Sequence, residues 1–314
     1  MNISDHIKRP YFKVSFLITC IKYSSILLLC LIFKVIDPNP QYTNFTCIIV
    51  ILLFGIPHGA ADHHIHFHLK KINSSKTIFI AKYLAIALTY SLWWYLAPGK
   101  ALIGFIIISS YHFGQEFLEH ININKINVLD IIIWGSTIMI LPLILSYQEV
   151  IDSITVFTPF SLPVLPKGLK LISITLLITL VSVHTLKKFL AKRITKNQLI
   201  KMIILVAMIC FLFSVLPFLV AFTIYFLFFH SSHAFKAQYN WLKSQKTHYS
   251  VTNFIKDLLP LSLLSILGLS AIIYLFNPSN WIDILSYFFI LISVITLPHA
   301  ILFDDFYKSR KPSS

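Results

Sequence analysis

LIKMIILVAMICFLFSVLPFLVAFTIYFLFF, Leu199 to Phe229, is the stretch on which the topology turns. At 1.5 Å per residue a continuous helix of that length would run about 46 Å, too long for a hydrocarbon core of roughly 30 Å. Pro217 stands in its middle. The flanking charges decide between one tilted helix and two shorter ones. Lys187, Lys188, Lys192, Arg193, Lys196 and Lys201 come before or at its start, and Lys236, Lys243, Lys246 and Lys256 follow it. Basic loops stay in the cytoplasm, so the chain must cross an even number of times between them. The reading is a helix 7 over 199–216 and a helix 8 over 218–235, hinged at Leu216-Pro217.

The other apolar runs arrange themselves around that hinge. Segments of about 20 apolar residues span a bilayer. They place helix 1 at 14–36, helix 2 at 45–67, helix 3 at 77–97, helix 4 at 101–119 and helix 5 at 128–147. Helix 6 falls at 169–187, helix 9 at 258–276 and helix 10 at 281–303. The run at 14–36 is too long for a signal-peptide core and lacks a small-residue cleavage site, so it is expected to be retained. Residues 148–168, with Pro159, Pro163 and Pro166, are the best candidate for an irregular, lid-like element. Asn277-Pro278-Ser279-Asn280 reads as the turn between the last two helices.

The fold class is therefore an all-α polytopic integral membrane protein of about 10 transmembrane helices, with a Pro-hinged helix 7–8 pair. It is read as one domain over 1–314, with 1–44 an additional N-terminal helix and 45–307 the core. Ten crossings put both termini in the cytoplasm of a cell (inner) membrane. Lys70, Lys71, Lys76, Lys125, Lys308, Arg310 and Lys311 then fall on the same side.

Composition agrees. Of 314 residues 57% are hydrophobic and 12% charged, against about 25% charged in soluble domains. The excess of 26 Lys+Arg over 12 Asp+Glu sits in loops and expresses membrane orientation, so nucleic acid is not a partner. Cys20, Cys30, Cys47 and Cys210 lie in apolar runs without paired spacing and read as packing residues, neither a disulfide framework nor a zinc site.

Even-numbered helices all run from outside to inside, and each of four carries a histidine past its midpoint: His58, His112, His230 and His299. All four are expected in the cytoplasmic half of the membrane, with His299 somewhat lower. Ionisable groups at such depth are costly and mark function. Imidazole suits iron, copper, nickel and zinc, and neutral imidazoles bind a divalent ion without burying an anionic ligand. Asp62 follows His58 by four residues and Glu116 follows His112 by four, so each pair shares a helix face. A ligating histidine usually donates its second N–H to a carboxylate, which makes Asp62 and Glu116 candidate supports. His64, His66 and His68 run toward Lys70-Lys71 and read as interfacial, while His63 stays open between the two roles.

Four motifs carry a resemblance: Gly-x-Pro-His-Gly-Ala-x-Asp at 55–62, His-Phe-Gly at 112–114, His-Ser at 230–231 and Leu-Pro-His-x-x-Leu-x-Asp at 297–304. In this order they resemble the Brp/Blh family of β-carotene 15,15′-dioxygenases. The resemblance implies oxidative cleavage of the central double bond of β-carotene into two retinals, with O2 and a non-haem Fe2+. It implies iron ligands at His58, His112 and His230. The family's third motif carries a further ligand four residues on, where this chain has Ala234. His233, one residue earlier, can still face the same side of a helix. Otherwise a water or His63 completes the set, with His299 as a supporting residue.

A di-iron lipid or carotenoid hydroxylase or desaturase is the enzyme alternative, echoed by Asp62 to His68, although its other histidine boxes are missing. A non-catalytic carotenoid- or retinal-binding protein and a metal transporter are the others. Against transport, the outer halves of the histidine helices are almost wholly apolar. The expected partners are β-carotene, O2, the lipid bilayer and a rhodopsin receiving the retinal.

Overall fold

The computed structural model describes residues 3–70, 76–154, 164–277 and 281–309; the side chains of 3–18, 58, 68–70, 76, 272, 276, 281–283 and 309 are outside that description. Among the described residues every element is helical. The chain divides into two compact units, Met1–Thr43 and Asn44–Ser314. The first is built on α1 (Ile3–Ile36), whose apolar part Thr19–Ile36 is long enough to cross a membrane. It stops where Asp37 takes a φ of 43°, a left-handed conformation that a short polar side chain tolerates.

Next come α2 (Pro40–Val50), α3 (Asp62–Lys70), α4 (Lys76–Leu96), α5 (Pro98–His120), α6 (Val128–Leu145) and α7 (Tyr147–Ile154). The rest are α8 (Lys167–Leu190), α9 (Lys196–Val215), α10 (Phe218–Tyr225), α11 (Ser232–Gln245), α12 (Val251–Phe276) and α13 (Trp281–Ser309). Among the described residues nine helices are long and apolar enough to span a bilayer, where the sequence reads about ten. The difference lies in expected helix 2, which is not one helix. Between α2 and α3 the chain makes a π turn, Ile51–Gly55, and a 3-10 turn, Ile56–Gly59. Pro57 has no N–H to continue an α ladder. Irregular backbone at membrane depth survives only where protein covers it, and Ile51, Gly55, Ile56, Pro57 and Gly59 are all buried.

The hinge at Leu216-Pro217 is present. Leu216 is extended (φ −117°, ψ 154°), and the amide of Phe218, the first residue of α10, donates to Glu149 Oε2 at 2.7 Å. The helix beyond is longer than expected. α10, a π turn over Phe226–Ser231 and α11 run on continuously from Phe218 to Gln245. The short helix α7, which carries Glu149, occupies the start of the expected lid-like segment. Pro166 caps α8, while Pro159 and Pro163 lie outside the described residues. So do Pro278, Ser279 and Asn280 of the last turn, after Asn277 ends α12 in the left-handed region.

Two glycines let α5 and α6 approach backbone to backbone. A Cβ at Gly135 would collide with the carbonyl of Ser110, and one at Gly114 with the carbonyl of Ile131. Small residues serve this purpose in membrane bundles, where close packing replaces the hydrophobic drive. α13 packs against α4, α5, α12 and α3, and this sets the helix bearing His299 beside the one bearing His112.

Candidate metal centre

Three of the four deep histidines meet. The His112 ring centroid lies 5.2 Å from that of His230 and 5.0 Å from that of His299. These residues are 2%, 1% and 3% exposed. The π turn on which His230 sits adds a residue to the helical turn, a device frequent at functional sites. Phe113 stacks on His230 with ring centroids 4.1 Å apart, and Phe303 lies 4.3 Å from His299. Pro57-His58-Gly59 reaches the same place. A Cβ at Gly59 would sit 3.3 Å from His299 Nδ1. The backbone of His58 therefore lies beside the cluster, while its side chain is outside the described residues.

The carboxylates act across helices. Glu116 Oε2 lies 3.1 Å from Nδ1 of His230. Both Asp62 oxygens lie 3.0 Å from Nδ1 of His299, and Tyr83 donates its hydroxyl to Asp62 Oδ2 at 3.2 Å. The sequence reading drew these supports along one helix, at i and i+4. Tertiary packing joins them to histidines 114 and 237 residues distant. A carboxylate accepts, so each Nδ1 carries the hydrogen and each Nε2 keeps its lone pair.

His233 takes a different position. Its ring stacks on His120 at 3.3 Å, and its Nδ1 is 3.9 Å from Glu116 Oε1. Ala234 is buried. His63 Nδ1 contacts the carbonyl of Ala60 at 3.1 Å, His64 pairs with Asp257 at 3.2 Å, and His66 packs on Phe79 at 4.6 Å. The rings of His63 and His64 also lie against each other at 3.9 Å, while His66 turns to α4. Through Asp257, His64 is tied to α12, where the sequence reading has it solvated.

A cavity of about 420 Å³ opens above the cluster. One face each of α5, of the helix after Pro217, and of α13 lines it, from Leu102, Phe218 and Leu285 down to His112, His230 and His299. At 1.5 Å per residue those ladders are about 15–21 Å long. Their side chains are mainly Phe, Ile and Leu, with Glu149, Asp152 and Ser153 of α7 at the far end. The lining suits an apolar chain that reaches the imidazoles.

Sequence reasoning missed Tyr83, one of 14 tyrosines, which carries no local signal. It also missed the tie beneath the site, where Tyr111 and Gln115 of α5 both donate to Asp304 Oδ1 at 3.0 Å. Asp304 closes the Leu-Pro-His-x-x-Leu-x-Asp motif, and that was the available clue.

Fold and site together define a class: a polytopic helical membrane protein with a buried imidazole–carboxylate cluster at the foot of an apolar cavity. Residues 49–307 match the family model described as beta-carotene 15,15′-dioxygenase. The chain belongs to that family of enzymes. It is 30% identical over 273 residues to the beta-carotene 15,15′-dioxygenase of uncultured marine bacterium 66A03, covering 83% of this chain and 94% of that protein. No solved structure matches it.

Proposed function

We propose that the protein cleaves the central 15,15′ double bond of β-carotene with O2 to give two retinals, at an Fe(II) centre held by His58, His112 and His230. The observation that carries this reading is the apolar cavity ending on carboxylate-backed imidazoles. One C=C bond breaks and two C=O bonds form, so both atoms of O2 are accounted for and no other reductant is needed.

The donor set fits a divalent metal in kind: neutral imidazoles, two of them with Nδ1 held by a carboxylate. Among the described residues no group of three or more His, Cys, Asp or Glu side chains is arranged to hold an ion as placed, and His58 is outside that set. Bound iron would supply the redox step that lets O2 react with the polyene. Everything else falls to the chain. Phe222, Phe226, Phe288 and Phe289 line the path and exclude water. Glu116 fixes the tautomer and plane of His230. The site lies among helices and its substrate dissolves in lipid, so lateral entry from the bilayer is the natural route, with retinal released to lipid or to a rhodopsin. The excess of basic residues in one set of loops supports an inner-membrane orientation with both termini cytoplasmic. His63, His64 and His66 lie outside the lining of the cavity, which disfavours the di-iron alternative.

The test is expression in a β-carotene-producing bacterial host, with colour followed and retinal quantified by chromatography. Loss of orange colour with retinal formed is the expected result. Intact β-carotene in membranes containing iron-loaded protein would refute the substrate.

A further inference from the structure

His112 stands between two imidazoles that are alike in construction. On one side His230 turns its Nδ1 to Glu116, a residue of another helix, at 3.1 Å. On the other His299 turns its Nδ1 to both oxygens of Asp62, again from another helix, at 3.0 Å. Histidines that bind metals are oriented in this way, the second ring nitrogen engaged by a carboxylate and the first left to the ion. Spacing points the same way. Imidazoles at about 2.1 Å from a shared ion, with angles between roughly 90° and 110° at the metal, bring their ring centroids to about 4.6–5.4 Å. The separations here, 5.2 and 5.0 Å, fall in that interval for each pair taken singly, while among the described residues the three rings together do not form an ion site as they stand.

The backbone next to His58 also meets His299, because the Cβ position of Gly59 is 3.3 Å from His299 Nδ1. His299 lines the cavity, and His233 is not among its lining residues. Instead, His233 stacks on His120. Ala234, buried beside it in sequence, offers a methyl group and no donor.

We propose that His299 is itself a ligand of the metal through Nε2, completing a set with His58, His112 and His230, and that Asp62 with Tyr83 is the pair that positions it. This rests on the metal-dependent reading above and deepens it. His299 then occupies the fourth place, and His233 belongs to the supporting structure around Glu116.

The test is metal binding by the full-length protein in detergent, using Fe(II) for affinity and Co(II) for its ligand-field absorption. Asp62→Asn, which removes a support, is expected to weaken Fe(II) binding about 10–100-fold. His299→Ala is expected to exceed that range, to alter the Co(II) spectrum, and to regain part of its metal on addition of free imidazole. If the alanine variant does not fold, His299→Gln, which keeps a side chain able to hydrogen-bond Asp62, replaces it. Its Co(II) spectrum is expected to change in the same way. An unchanged spectrum and affinity in the folded variant overturns the assignment. So does loss of the metal in His233→Ala while His299→Ala keeps it. Wild-type protein that binds no metal refutes both this assignment and the functional reading. Wild-type protein that binds metal through His299 yet leaves β-carotene intact refutes only the substrate.

Discussion

His112, His230 and His299 are nearly inaccessible, and a buried ionisable group persists only with its polar atoms provided for. Glu116 and Asp62 do this for His230 and His299 while leaving each ring a donor nitrogen. Replacing Glu116 by Gln keeps the size but loses the charge that holds the His230 tautomer. Fe(II) affinity is expected to fall about 10–100-fold, measured by metal titration, with little change in melting temperature. His58→Ala or His112→Ala is expected to abolish both iron retention and retinal formation; undiminished iron in either would remove that residue from the ligand set. His66 packs on Phe79 at 4.6 Å, away from the cavity. His66→Ala is expected to leave turnover within about twofold, because substitutions remote from a site usually cost within 0.5 kcal/mol. A dead enzyme there would revive the di-iron alternative.

At the scale of elements, α5 is the part on which the site depends. It carries His112, Phe113 and Glu116, and three contacts hold its register: the glycine contact with α6, the Asp304 tie to α13, and the Gln198 amide, which donates to Ile121 O at 3.1 Å. Gly135→Ala forces a methyl into the Ser110 carbonyl, two residues from His112. It is expected to cost about 1–3 kcal/mol as overpacking and to reduce activity with it. Gly168, with nothing within 4 Å of its Cβ position, is the control, and Gly168→Ala is expected to leave both unchanged. Equal melting temperatures for the two variants would show that the α5–α6 approach is not close. Asp304→Ala leaves Tyr111 and Gln115 without their shared acceptor. That is expected to cost about 1–3 kcal/mol and, by letting α13 shift against α5, to slow cleavage more than it weakens carotenoid binding.

Over the whole molecule, orientation and depth are linked. If the helices bearing His112, His230 and His299 run in parallel from outside to inside, the C-terminus is cytoplasmic, and the N-terminus joins it if the broken segment between α1 and α4 also crosses the membrane. Reporter fusions at each end are expected to be active only in their cytoplasmic form. An active periplasmic reporter at the C-terminus would place the histidine cluster in the outer half. The π and 3-10 turns at Ile51–Gly59 and Phe226–Ser231 lie against each other through Gly55 and Phe226. The irregular backbone is thus gathered in one place, next to the imidazoles.

Much of this was legible in the chain itself. Apolar runs of membrane-spanning length, the basic loops and Pro217 determined the helical class and the split into two helices, because hydrocarbon admits no unpaired backbone and proline cannot continue a helix. Histidines past the midpoint of helices read as running one way placed His112, His230 and His299 in one half of the membrane, with His299 expected lower; that His299 instead stands 5.0 Å from His112 came from packing. Only the tertiary structure decided which carboxylate serves which imidazole, that His299 stands at His112 while His233 turns to His120, and that Tyr83 and Asp304 take part. The reason is physical. Helical periodicity constrains neighbours three and four residues apart, whereas contacts between helices depend on rotation and offset, which packing of side chains sets and no local pattern records.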